Sequence, residues 1–97
     1  MIKHMVMLKF KPEVSQEQRA EFGKMSVGEL GQIPGVKNLI LGEAFGVMGK
    51  PLYNVALLID FDEEAQLKAY LEHPKHKAAA AQLPAMCSDV LILDCLY

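Results

Sequence analysis

A chain of 97 residues is long enough for one domain and leaves no room for a second, so residues 1–97 are expected to fold as a unit. With 52% hydrophobic, 7% aromatic and 23% charged residues it can bury a core, which excludes intrinsic disorder. A formal net charge of −2 excludes nucleic acid as the main partner, and no apolar run reaches the roughly 20 residues of a membrane span.

Residues 3–11 alternate with period two. Ile2, His4, Val6, Leu8 and Phe10 share one face, and Lys3, Met5, Met7, Lys9 and Lys11 the other, which predicts a strand. Pro12 ends it. Ser15 then fits a helix N-cap, with Gln18 completing a capping box, and the helix is expected over residues 16–32. Phe22, Met25, Leu30 and Ile33 fall on its broad apolar face. Gly23, Gly28 and Gly31 each cost about 1 kcal/mol relative to alanine, so packing must hold this helix together. A close contact or a cavity wall would each explain such small residues.

Ile33-Pro34-Gly35 reads as a turn, and residues 36–45 as a second strand. Gly46 to Leu52 forms a loop. Residues 53–61 are apolar almost throughout, as expected of a strand covered on both faces. Asp62 suits the N-cap of the next helix, whose stripe is Leu67, Tyr70 and Leu71. Pro74 breaks that helix and opens another over residues 75–83, which Pro84 is expected to end. Residues 90–96 form the last strand, with Val90, Ile92, Asp94 and Leu96 on one face and Leu91, Leu93, Cys95 and Tyr97 on the other.

The order β-α-β-β-α-(α)-β defines an α+β fold of the ferredoxin-like βαββαβ type, a four-stranded antiparallel sheet with its helices on one face. The other face keeps residues such as Met5, Met7, Leu39, Leu41, Leu91 and Leu93, or their alternates, without a cover. A patch of that kind is unusual on a monomer, and 52% apolar content exceeds what a one-sided core needs. Homodimerisation, sheet against sheet, is the expected solution. Cys87 and Cys95 show no disulfide or metal spacing and read as small buried side chains in a reducing cytoplasm. Residues 1–12 do not read as a signal peptide.

The opening Lys3-His4-Met5-Val6-Met7-Leu8-Lys9-Phe10-Lys11, the Ile33-Pro34-Gly35-Val36 turn, Tyr70-Leu71-Glu72-His73-Pro74-Lys75-His76 and the closing Val90-Leu91-Ile92-Leu93-Asp94 resemble the stress-responsive dimeric α+β barrel domain family. The resemblance spans essentially the whole chain. It implies that two ferredoxin-like chains enclose a barrel between their sheets. One branch of that family, the polyketide cyclases, closes poly-β-keto thioesters by aldol condensation without cofactor or metal. By this resemblance His76 is the general base, Tyr70 assists it, Asp94 orients it, and His4 lines the pocket. The branch carries aromatics where this chain has Gly23 and Ser26.

The residues support this chemistry on their own terms. His76 lies just after Pro74, where the positive helix end favours a neutral imidazole able to take a proton from carbon. Alternatively it is bonded to the backbone or to Asp94. Tyr70 shares a face with Leu67 and Leu71, so its ring is core and its hydroxyl needs a partner. His4 is either a satisfied core histidine or part of a pocket wall with Val6, Leu8 and, from the first helix, Phe22. Asp94, set in an apolar strand, requires a donor, and His76 or His4 can supply it. His73 precedes Pro74 and should point away, leaving no third ligand beside His76, so no metal is expected. Two functions follow: a cofactor-independent enzyme (cyclase, lyase or isomerase) acting on a small carbonyl-bearing apolar substrate, or a non-enzymatic small-molecule-binding or stress-response protein with the same dimeric fold.

Overall fold

The computed structural model describes residues 1–44 and 53–97. The end of the second strand expected at Phe45 and the loop expected over 46–52, with Met48, lie outside the described residues. The elements run β1 (Ile2–Phe10), α1 (Gln16–Leu30), β2 (Lys37–Glu43), β3 (Val55–Phe61), α2 (Glu64–Glu72), α3 (Pro74–Ala81), α4 (Leu83–Met86) and β4 (Cys87–Leu96). The strands form one antiparallel sheet in the order β2-β3-β1-β4. This is the expected ferredoxin-like arrangement. No described helix is long and apolar enough to cross a membrane.

Local chemistry explains the element boundaries. Ser15 and Gln18 close a reciprocal capping box, Ser15 Oγ accepting from the Gln18 amide at 3.1 Å and Gln18 Oε1 from the Ser15 amide at 2.8 Å. Gly35 turns at φ +91°, a conformation that favours glycine. The N-cap of α2 is Glu63 rather than Asp62, because Gln66 Oε1 reaches back to both amides. The Asp62 carboxylate instead accepts from Lys37 Nζ at 2.7 Å. Pro84 does not end α3. That helix stops at Ala81, and Pro84 enters the first turn of the short α4, where its missing N–H costs no bond. As a result β4 begins at Cys87, three residues before the expected start.

The core lies between sheet and helices. Ile2, Leu57, Ile59 and Phe61 from the sheet meet Leu30, Ile33, Leu67, Tyr70 and Ala79. A second cluster joins Leu8 and Phe10 to Val14, Phe22 and Cys87. Gly23 is explained by both expected causes, since a Cβ there would stand 2.9 Å from Leu41 Cδ2 and the residue also lines a cavity. Gly31 is the helix C-cap. Gly28 faces open space, and nothing in the structure explains it.

The opposite face carries rows of side chains that run across the strands. Ile40, Leu58, Met5 and Leu93 stand in one register row, and Gly42, Ala56, Met7 and Leu91 in the next. Leu39 and Leu41, expected on this face, pack instead against the helix-side core. The reason is the irregularity between Lys37 and Ile40, where Asn38 adopts φ +50° and reverses the expected alternation. Cys95, expected to be buried, is exposed beside Leu93, because nothing within one chain covers the edge strand.

A polar row borders these apolar rows. Lys3 Nζ meets Asp60 Oδ1 at 2.8 Å, Asn38 Nδ2 donates to Asp60 Oδ2 at 2.9 Å, and Tyr97 Oη donates to Asp60 Oδ1 at 2.9 Å. Lys3 above all, with Asn38 and Tyr97, holds the Asp60 carboxyl at a pKa of about 2. A depressed carboxylate stabilises the fold above its unfolded value, and that contribution fades as pH falls. Wild-type protein is therefore expected to lose stability from pH 3.8 toward about 2, and Asp60→Asn should flatten that interval. Urea midpoints measured between about pH 5 and pH 2 read the difference. Parallel curves for the two proteins would contradict the assignment.

Candidate active site

Between the helices and the sheet lies a cavity of about 270 Å³. All seven residues singled out in the sequence line it: His4, Val6 and Leu8 from β1, Phe22 from α1, Tyr70 from α2, His76 from α3 and Asp94 from β4. The strand residues converge because β1 presents its even positions to the helices, and the register sets His4 directly beside Asp94. The α2–α3 junction supplies the other two. His73 ends α2 and caps α3, its Nδ1 accepting from the Lys75 amide at 3.1 Å, so its ring is engaged away from His76. Leu71, Ile92 and Asp94 are the exposed members of the lining and mark its rim.

Asp94 orients His4, not His76. His4 Nδ1 and Asp94 Oδ1 are 2.5 Å apart, while the His4 side chain is only 2% exposed. This departs from the role that resemblance assigns to Asp94. The physical reason is pairing, since cross-strand neighbours meet directly whereas His76 sits on a helix. His76 Nδ1 is 3.1 Å from the Leu71 carbonyl. A carbonyl only accepts, so Nδ1 carries the proton and the neutral ring keeps its lone pair on Nε2. The His4 Nδ1–H likewise donates to the Asp94 carboxylate.

Burial, more than the helix end, keeps His76 neutral. Desolvation pulls its pKa below the ordinary 6.5, nearby His4 lowers it further, and the Leu71 carbonyl opposes both. Tyr70 is 1% exposed and packs between rings, 4.7 Å from His76, 5.7 Å from His4 and 5.2 Å from Phe61 between centroids. Burial raises its hydroxyl to about 12, so it stays a hydrogen-bond donor at neutral pH. Among the described residues no three His, Cys, Asp or Glu side chains gather as metal ligands would. Arg19 also lines the cavity, with its guanidinium committed to the Val14 and Lys11 carbonyls. Neither Arg19 nor Ser26 was expected on this wall from spacing. Small Gly23 and Ser26, three residues apart on one helix face, were the available signal.

A βαββαβ sheet, helices on one face and a polar-studded apolar cavity between the layers define a ferredoxin-like α+β domain with an internal site. The chain belongs to the Stress responsive A/B Barrel Domain family, whose model matches residues 2–96. It is 28% identical over 94 residues to olivetolic acid cyclase of Cannabis sativa, covering 96% of this chain and 93% of that protein. A Thermobifida fusca protein, described as dimeric and ferredoxin-like, is 28% identical and superposes with a TM-score of 0.83 over 99% of this chain and 90% of its own. Hydroxynitrile lyase from Passiflora edulis shares the fold with a TM-score of 0.84 at 20% identity, over 99% of this chain and 92% of its own.

Proposed function

We propose that this protein is a cofactor-independent enzyme that abstracts a proton beside the carbonyl of a small apolar substrate, leading to cyclisation, isomerisation or a lyase reaction. The observation that carries the reading is the helix–sheet cavity, an apolar chamber whose few polar walls include a neutral histidine and a protonated tyrosine. His76 Nε2 takes the proton, and the electrons of the C–H bond move to the carbonyl oxygen. Tyr70 Oη donates to that oxygen as charge develops. The His4–Asp94 pair fixes a second imidazole in the wall, and Val6, Leu8 and Phe22 hold the apolar portion. Similarity to olivetolic acid cyclase supports this class of chemistry. The test is His76-dependent exchange of ketone α-protons with solvent deuterium.

A second reading, a non-enzymatic small-molecule binder, draws on one observation: His76 is oriented by a backbone carbonyl rather than by a carboxylate. It predicts ligand binding without exchange, and unchanged affinity in His76→Ala. Either reading includes a homodimer formed through the open sheet face, in keeping with the dimeric Thermobifida fusca relative.

A further inference from the structure

We propose that Ser26 reads a second oxygen on the ligand, so that the cavity takes a bifunctional molecule: a carbonyl at the His76 and Tyr70 end, a neutral hydroxyl or carbonyl oxygen at the α1 wall, and an apolar chain between. The carbonyl end rests on the proton-abstraction reading, whereas the second contact stands on Ser26 itself.

Ser26 is 5% exposed, lies inside α1 between Phe22 and Leu30, and lines the cavity. Its Oγ is buried without a hydrogen-bond partner among the described residues. A helical serine ordinarily bonds back to the carbonyl four residues earlier, and this one does not. Leaving a buried hydroxyl unpaired is destabilising, and alanine would suit a helix interior better. Phe22, Gly23, Leu30 and Leu41 also stand on this part of the lining, and of the α1 residues there only Arg19 is charged among the described residues. A hydroxyl kept there at a cost is explained by a ligand atom that pairs with it.

The same wall indicates what that atom is. Arg19, a cation on this lining, donates Nε to the Val14 carbonyl at 3.0 Å and Nη2 to the Lys11 carbonyl at 3.3 Å, and it stacks over Phe10 at 5.1 Å. These bonds hold the guanidinium toward the Val14 and Lys11 carbonyls, and among the described residues the side-chain hydrogen bond left open on the α1 wall is that of the uncharged Ser26 hydroxyl. A serine hydroxyl donates to a carbonyl and both donates to and accepts from a hydroxyl, so the second group is a neutral oxygen function.

The experiment compares alkan-2-ones of seven to eleven carbons with their terminally hydroxylated counterparts. Dissociation constants are measured by calorimetry for wild type, Ser26→Ala and His76→Ala. For at least one chain length the ratio of the two constants is expected to shift roughly tenfold against the hydroxylated ketone in Ser26→Ala, and to persist in His76→Ala. The ligand-free Ser26→Ala protein should melt no lower than wild type. A ratio unchanged in Ser26→Ala, a lowered melting point that reveals a structural partner, or failure of both series to bind would each overturn the proposal. Deuterium exchange into the same ketones separates the two ideas. Exchange without a tail preference removes the Ser26 role alone, and a tail preference without exchange removes proton abstraction alone.

Discussion

Replacing His76 by alanine is expected to slow deuterium exchange at the α-carbon of a cavity-bound ketone by about 10²- to 10⁴-fold, with the fold intact. The ring is half-buried and held by one hydrogen bond to the Leu71 carbonyl, so its loss removes a base rather than a structural keystone. Proton transfer to Nε2 makes an imidazolium whose Nδ1–H keeps the same carbonyl, and the ring need not turn. Its partial exposure lets the captured proton exchange with solvent before returning to carbon. Because burial lowers the His76 pKa, the acid limb of the rate profile should lie below pH 6.5, with a plateau above it. Tyr70→Phe removes only the donor to the carbonyl oxygen and should lower the rate while leaving that limb in place. Proton NMR of a ketone in deuterated buffer measures all three proteins. An unchanged rate in His76→Ala would remove His76 from the chemistry.

A single charge on the open sheet face should separate the dimer. Leu93 is 54% exposed within one chain and stands in register with Met5 and, beyond it, Leu58 and Ile40. Burying such a side chain is worth about 1.5–3 kcal/mol, and a symmetric interface loses it twice, so Leu93→Glu should weaken association by roughly 10²- to 10⁴-fold. The exposed position makes the variant tolerable to the single chain. Light scattering at micromolar concentration should give about twice 10.8 kDa for wild type and 10.8 kDa for Leu93→Glu. A monomeric wild type would contradict the dimer. The polar row of Lys3, Asp60 and Tyr97 then borders the apolar rows, an arrangement suited to fixing the register of two facing sheets.

Much of this molecule follows from local sequence signals. Period-two alternation reveals β1, the Ser15–Gln18 box locates α1, and Pro74 separates α2 from α3. Among the cavity residues, His4, Val6 and Leu8 follow from the same alternation, because they share the face that the helices cover, whereas His76, Tyr70 and Asp94 are indicated by the family resemblance. What escaped depends on pairing between distant segments. The partner of Asp94 is fixed by the β1–β4 register, which no local pattern encodes. The left-handed Asn38 and the β2 irregularity moved Leu39 and Leu41 to the helix side, an outcome that strict alternation cannot give. Pro84 reads as a stop or a start with equal ease, and only the packing of α4 ahead of β4 decides it. Cys95, without disulfide or metal spacing, reads as a small buried side chain, yet its face lacks a cover within one chain.

A crystal structure of the protein soaked with nonan-2-one bears most directly on the proposed site. The ketone should lie between helices and sheet, its carbonyl oxygen within about 3.2 Å of Tyr70 Oη and its α-carbon about 3–3.5 Å from His76 Nε2. A ketone bound elsewhere, or a helix–sheet space closed by its own side chains, would contradict the account.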